Sequence, residues 1–179
     1  MDQKPQRADS TAPTTPAGQA EPAAVSDPAA PAEPSRASRI GRRLGRIALG
    51  AALVFAGISH LTISREAFQG QVPDWQPFDP DFVVVASGVV EIALGSALIF
   101  AKKYRAHVGW VAAAFFIAIY PGNISQLVNH VDSLGLDTDL KRWIRMPFQP
   151  VLIAWALWST GAWRAWRAAR RTGGLGLRA

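Results

Sequence analysis

The stretch from Phe82 to Ala101, FVVVASGVVEIALGSALIFA, constrains the fold more than any other part of the sequence. It is apolar almost throughout, and as a helix it would be ~30 Å long, which is the thickness of the hydrocarbon core of a bilayer. Near its middle stands Glu91, an acid that is costly to place against lipid in its ionised form. We therefore expect a membrane-spanning helix that turns Glu91 toward protein or trapped water.

Three further apolar blocks cover about residues 44–63, 106–128 and 147–166. Together with residues 82–101 they predict an all-α fold, a four-transmembrane-helix antiparallel bundle within residues 39–168. Pro121 removes a backbone hydrogen bond inside the third block, so we expect a kink there. Trp163 and Trp166 near the end of the fourth block are typical of a membrane interface.

The two ends of the chain differ from the bundle in composition. Residues 1–38 are rich in Pro, Ala, Ser and Thr, cannot bury enough surface to offset their ordering entropy, and are expected to be disordered. Residues 169–179 form a basic C-terminal tail. Thirteen Lys and Arg residues flank the helices on the side of the termini and four on the other side, which predicts that both termini are cytoplasmic.

Composition excludes several kinds of chemistry. The chain contains no cysteine, which rules out disulfides, thiolate metal sites and a cysteine nucleophile. The net charge of +6 comes from arginines that cluster beside apolar blocks, so we expect no nucleic-acid partner. Only His60, Glu91 and His130 are candidate metal or haem ligands, and none of them forms a ligand-spaced pair on one helix, so we expect neither group.

In this topology, polar residues of all four helices lie toward the outer half of the bundle and predict a small polar pocket that opens outward. Glu91 and His60 are the candidates for proton transfer and hence for catalysis. The candidate ligand-binding residues are Ser87, Asn123, Arg145 and Gln149.

Each candidate also has a structural interpretation. His60 is close enough to the interface to be simply solvated, and Arg145 either anchors lipid headgroups or reaches inward toward Glu91. Asn123 either contacts a ligand or satisfies backbone groups freed by Pro121. The segment 65–81, with its prolines, aromatics and acids, either caps the mouth of a cavity or anchors the chain at the interface.

Five ordered motifs resemble those of the DoxX family of small four-helix bacterial membrane proteins. They are LVFAGISH (53–60), VPDWQPF (72–78), SGVVEIALGSAL (87–98), YPGN (120–123) and RMPFQPVLIAWALW (145–158). The resemblance covers about residues 44–167 and implies a location in the bacterial cytoplasmic membrane. It also implies a link to quinone-dependent oxidation of sulfur compounds or to complexes that handle oxidative or thiol stress.

We therefore expect a redox-associated membrane component with a quinone as its ligand. The alternative is a non-catalytic membrane subunit that scaffolds or recruits partner proteins. Besides the lipid bilayer, the expected partners are a soluble oxidoreductase or sulfurtransferase and a second copy of the chain. Fold kinship alone does not transfer chemistry, so the site itself must decide between these functions.

Overall fold

The computed structural model describes residues 35–173, which form seven helices and no strand. Residues 1–34 and 174–179 lie outside the described residues, and so do the parts of the predicted tails that fall on them. The helices are α1 (Arg36–Leu61), α2 (Arg65–Gln69), α3 (Pro80–Phe100), α4 (Arg105–Val128), α5 (Asp139–Arg145), α6 (Phe148–Thr160) and α7 (Ala162–Gly173).

Local sequence explains where several helices begin. The Ser35 hydroxyl accepts a hydrogen bond from the Ser38 N–H at 3.2 Å and caps α1. The Asp79 carboxylate accepts one from the Phe82 N–H at 3.1 Å at the start of α3, where Pro80 occupies the first turn. Thr138 caps α5 in the same way. These caps satisfy N–H groups that the helix itself leaves unpaired.

The most extensive packing joins α1 to α3, which run antiparallel through two pairs of glycines. A Cβ atom on Gly57 would lie 2.5 Å from the Gly88 carbonyl oxygen, and one on Gly95 would lie 2.5 Å from the Gly50 carbonyl oxygen. Such contacts leave no room for any side chain and let the two backbones approach closely. The interface also fixes the register between α1 and α3.

Helices α4 and α6 complete the bundle. The buried core gathers residues from α1, α3, α4 and α6, namely Leu49, Leu53, Leu98, Ala112, Phe116 and Ala156. Gly109 of α4 lies so close to α6 that a Cβ atom on Gly109 would clash with the side chain of Thr160. Chain direction then defines two ends. The "loop end" carries α2 and α5, and the "arginine end" carries the start of α1 and the start of α7.

Three helices, α1, α3 and α4, are long and apolar enough to cross a membrane. Large apolar side chains lie on the outside of the bundle as well as in its core. On the outside, Phe55, Ile117 and Val151 are each more than half exposed. A water-exposed surface seldom carries so many large apolar side chains together, whereas a lipid-facing surface does.

The structure departs from the expected helix limits in two places. Helix α1 begins at Arg36 rather than near residue 44, so residues 36–38 of the predicted tail are helical. The expected fourth helix, 147–166, is divided at Gly161, which ends α6 in the left-handed conformation at φ 75° and so starts α7 in a new direction. Helix α6 has 13 residues and is ~20 Å long. Helix α4 continues through Pro121 to Val128.

Candidate functional site

His60 and Glu91 form a buried pair between α1 and α3. The His60 Nδ1 and Glu91 Oε2 atoms are 2.6 Å apart, and the two residues are 7% and 4% exposed. Although the atoms are close, neither makes a hydrogen bond of regular angle with any described residue. The Gly57–Gly88 contact lies one turn away and holds the two helices at the separation that lets the side chains meet.

Helix α2 closes over this pair. The ring of Phe68 packs edge-on against the His60 imidazole, with 3.6 Å between ring centroids and 75° between ring planes. Phe68 therefore covers the imidazole on the loop side and restricts the access of water to it. Of the two interpretations of segment 65–81, cavity capping describes Phe68, whereas Phe78 is 60% exposed, as an interfacial anchor would be.

A cavity of about 530 Å³ opens beside the His60–Glu91 pair. We call it the acid–histidine cavity. Most of its wall is apolar, and it lies where α6 begins, between α1, α4 and α5. Its polar lining side chains are His60, Gln71, Glu91, Asn123, Lys141, Arg145 and Gln149. A largely apolar wall with a few convergent polar groups, in this range of volume, is characteristic of a small-molecule site.

Asn123 and Gln149 occupy the α4–α6 side of this cavity. Gln149 is 4% exposed, and its amide nitrogen donates to the Phe116 carbonyl oxygen at 3.2 Å, which ties α6 to α4. Asn123 is 8% exposed and has no side-chain hydrogen bond within residues 35–173. Its expected structural role near Pro121 is therefore not what the geometry displays, and its amide is open to a ligand.

Arg145 lies at the loop end of the same cavity. Its Nη2 atom donates to Gln71 Oε1 at 3.1 Å, and no ion pair joins it to Glu91 or to another acid of the described chain. Burial lowers the pKa of the Arg145 guanidinium from its ordinary value. The group stays cationic, because arginine titrates far above neutral pH. The expected inward reach of Arg145 to Glu91 is replaced by a contact with Gln71.

Ser87 does not line the acid–histidine cavity. It lines a smaller adjoining cavity of about 180 Å³, which shares His60 and Glu91 with the acid–histidine cavity. The Ser87 hydroxyl donates to the Val84 carbonyl oxygen at 2.9 Å within its own helix. Its proton is therefore engaged in a local backbone bond rather than directed at a ligand.

His130 does not line the acid–histidine cavity. Its Nδ1 atom is 2.7 Å from Asp139 Oδ1 in an exposed ion pair at the loop end. Arg142, 5% exposed, donates to the same Asp139 oxygen at 2.7 Å and also to Asp132. Residues 35–173 contain no group of three or more acids, histidines or cysteines that could hold a metal ion.

Three residues that line the site, Phe68, Gln71 and Lys141, were not among the candidates predicted from the sequence. Phe68 and Gln71 belong to the segment 65–81 after α1, which was expected to act as a whole, either as a cavity cap or as an interfacial anchor. A signal was present, since Phe68 follows His60 by eight residues and a tight turn would return it to the ring. The structure supplies that turn at residues 62–64, after which α2 folds back toward α1.

A family model with the description "Domain of unknown function (DUF8561)" matches residues 49–160, which is more than half of the 179-residue chain. The matched range contains every residue that lines the acid–histidine cavity. No curated protein and no solved structure matches the chain.

Proposed function

The chain belongs to the family described as Domain of unknown function (DUF8561), and from its site we propose a redox-associated membrane protein that binds a quinone and exchanges protons with it. In this proposal all four long segments, including α6, cross the bacterial cytoplasmic membrane, and both termini face the cytoplasm. The acid–histidine cavity then opens toward the outer side.

The observation that carries the proposal is the 2.6 Å pair of His60 and Glu91 at the wall of a mostly apolar cavity. Reduction of a quinone to a quinol adds two electrons and two protons and makes two O–H bonds. A histidine whose Nδ1 faces a carboxylate keeps Nε2 for the ligand and can take up or release a proton there. Glu91 holds the imidazole in place.

The other lining groups suit such a ligand. Lipid-soluble rings favour an apolar wall, and the Asn123 amide and the Arg145 guanidinium are donors for carbonyl oxygens. The cavity borders α6, the shortest of the four bundle helices, so a ligand would enter from the membrane near the start of that helix.

The chain cannot carry out thiol–disulfide exchange, because it has no cysteine. The two electrons therefore come, in this proposal, from a reduced sulfur compound by way of a soluble oxidoreductase or sulfurtransferase partner. The resemblance to DoxX proteins is part of the proposal and rests on the five motifs. Two of them, LVFAGISH and SGVVEIALGSAL, contribute His60 and Glu91 to the pair.

The test is binding of a short-chain ubiquinone to the purified full chain in nanodiscs, measured by calorimetry at several pH values. We expect Glu91→Gln and His60→Gln to weaken binding about tenfold or more and to abolish its pH dependence, because each removes a hydrogen-bonding or proton-exchanging group. Glu66→Gln is the matched control, since Glu66 is at the same end but outside this cavity. Equal binding in all variants, or no binding in any, would refute the proposal.

A second candidate is a non-catalytic subunit in which the pair only joins α1 to α3. The burial of both side chains at the most extensive interface of the bundle favours it. In that case Glu91→Gln lowers the yield of folded protein and of any complex purified from native membranes, and quinone has no effect on the unfolding temperature.

A further inference from the structure

The arginine end contains a second cavity, of about 650 Å³, with a different chemistry. We call it the arginine pocket. Seven cationic side chains line it, and no carboxylate is among the described residues of its wall. The cations are Arg39, Arg42, Arg43 and Arg46 of α1, Lys102 and Arg105 around the α3–α4 turn, and Arg164 of α7.

Arg42, Arg43 and Arg46 follow Arg39 by three, four and seven residues, so the four arginines share one helix face. Like charges at this spacing repel each other, and cations near a helix N-terminus also oppose the helix dipole. No acid in the described chain relieves this repulsion. Helix α1 contains no Asp or Glu, and the described sequence after Asp139, which includes α6 and α7, contains none either. The pocket is therefore an uncompensated concentration of positive charge.

Arg46 is the decisive member. It is 6% exposed, and its Nη1 atom is enclosed and lacks a hydrogen-bond partner among residues 35–173. A buried guanidinium is normally paired, since an unpaired buried charge is costly. Its position in the wall of the pocket indicates that an anion from outside the described chain completes it.

Two helices add to this potential. Helix α4 begins at Arg105 and α7 at Ala162, and both starting points border the pocket. Free N–H groups at a helix start attract anions, and phosphate in particular. Guanidinium groups bind phosphate oxygens through paired hydrogen bonds, which favours phosphate over a simple halide.

We propose that the arginine pocket binds the phosphate group of an anionic phospholipid. The surroundings favour a lipid over a soluble phosphate. Ile40 and Leu44, 51% and 62% exposed, lie between the arginines of α1 and would contact acyl chains. Trp163 and Trp166 stack with 4.8 Å between ring centroids at the start of α7, as aromatic residues do at the headgroup level.

The arginines of α7 differ in what they contact. Arg167 lies over the Trp163 ring and Arg170 over the Trp166 ring, at 5.0 and 4.1 Å from the centroids, so both are engaged with aromatic faces. Arg164 alone of these three lines the pocket. Its position therefore differs from that of its two neighbours on the same helix.

The test uses the full chain in detergent, to which phosphatidylglycerol, phosphatidylcholine or inorganic phosphate is added separately. Unfolding temperature and retained lipid in native mass spectrometry are the readouts. We expect phosphatidylglycerol to raise the unfolding temperature and to remain bound, and phosphatidylcholine to do neither. Arg46→Gln and Arg105→Gln should weaken the effect about tenfold or more, the loss typical of a charge-assisted hydrogen bond. Arg171→Gln, exposed and outside the pocket, should leave it unchanged.

Arg105 is exposed, so Arg105→Gln keeps the test valid if Arg46→Gln does not fold. Protection by inorganic phosphate equal to that of phosphatidylglycerol would support the phosphate site and assign its source to the soluble phase. Equal protection by both lipids, or protection that survives both pocket variants, would overturn the proposal. Neither readout depends on the quinone proposal, because the two cavities share no residue.

Discussion

Each end of the bundle buries an arginine, but only the arginine at the loop end is paired with acids of the described chain. At the loop end Arg142 is 5% exposed and donates to Asp132, to Asp139 and to the carbonyl oxygens of His130 and Val131. At the arginine end Arg46 is 6% exposed and its Nη1 atom has no partner in the described chain. One charge is compensated from within the protein, and the other requires a partner from outside.

This difference extends beyond the two arginines. Every acid–base contact of the described chain lies at the loop end or between α1 and α3 beside it, including Arg65–Asp81, Lys141–Asp137 and His60–Glu91. The arginine pocket contains no such contact among its described residues. Internal pairing fixes the geometry of buried side chains, whereas uncompensated charge attracts an external anion.

The largest effect is expected from breaking the buried pair of His60 and Glu91. His60→Ala leaves Glu91 buried without its partner, so we expect the free energy of unfolding to fall by about 3–5 kcal/mol. Chemical denaturation in mixed micelles measures it. Glu91→Ala and the double variant complete a cycle, and a coupling free energy near zero would mean that the 2.6 Å contact contributes nothing to folding.

The next test exchanges the same residue type at both ends. Arg142→Gln removes hydrogen bonds to two acids and two carbonyl groups, and we expect a loss of about 2–3 kcal/mol in the free energy of unfolding. Arg46→Gln removes an unpaired buried charge and some repulsion, so in lipid-free detergent stability should stay the same or rise. Thermal unfolding of both variants under identical conditions is the measurement. A comparable loss in both would show that Arg46 has a partner after all.

A third test asks whether the two ends are independent. Gly57→Ala places a methyl group 2.5 Å from the Gly88 carbonyl oxygen and forces α1 away from α3 near His60. We expect a loss of about 1–3 kcal/mol and weaker quinone binding, with phosphatidylglycerol binding unchanged. Gly41→Ala is the control, since nothing lies within 4 Å of a Cβ atom there and the helix gains propensity. Weaker lipid binding in Gly57→Ala would show that the ends are coupled.

Much of this arrangement follows from local sequence. Hydropathy predicted α3 and α4 to within about two residues, because a span of apolar residues must satisfy its backbone hydrogen bonds internally. Counting along the helices predicted that His60, Glu91, Asn123, Arg145 and Gln149 lie toward the same end of the bundle. In the structure all five line the acid–histidine cavity. Residue spacing on a helix is regular, so depth can be predicted even when side-chain roles cannot.

What could not be predicted depends on contacts between distant segments. The return of Phe68 onto His60 requires the turn after α1, and the partner of Arg145 is Gln71, 74 residues earlier in the chain. The predicted fourth helix ran through Gly161 without interruption, and the break appears only in the structure, where Gly161 has φ 75° and the preceding Thr160 packs against Gly109 of α4. The arginines of α1 were interpreted as topology signals, since sequence alone does not show which of them is buried.

The smallest expected effect concerns acid pH, which should loosen the loop end alone. The hydrogen bond from His130, with that from Arg142, lowers the pKa of the Asp139 carboxyl, and the Lys141 ammonium lowers that of Asp137. Because both folded-state pKa values lie below the ordinary value of about 3.9, the stabilisation is complete above that pH. It is lost as the pH falls through the lowered values. Both side chains are exposed, so the change should be small and weaker still in high salt.

Hydrogen exchange followed by mass spectrometry, corrected for the intrinsic rate at each pH, measures this loosening. Protection of residues 130–145 should decrease from pH 6 to pH 3, while that of residues 36–46, where the sequence has no acid, should stay constant. The double variant Asp137→Asn, Asp139→Asn should show the same slightly lowered protection at pH 6 and at pH 3, because the amides cannot form the ion pairs. A parallel decrease at both ends would mean that acid unfolds the bundle as a whole, and the contrast between compensated and uncompensated charge would then not explain it.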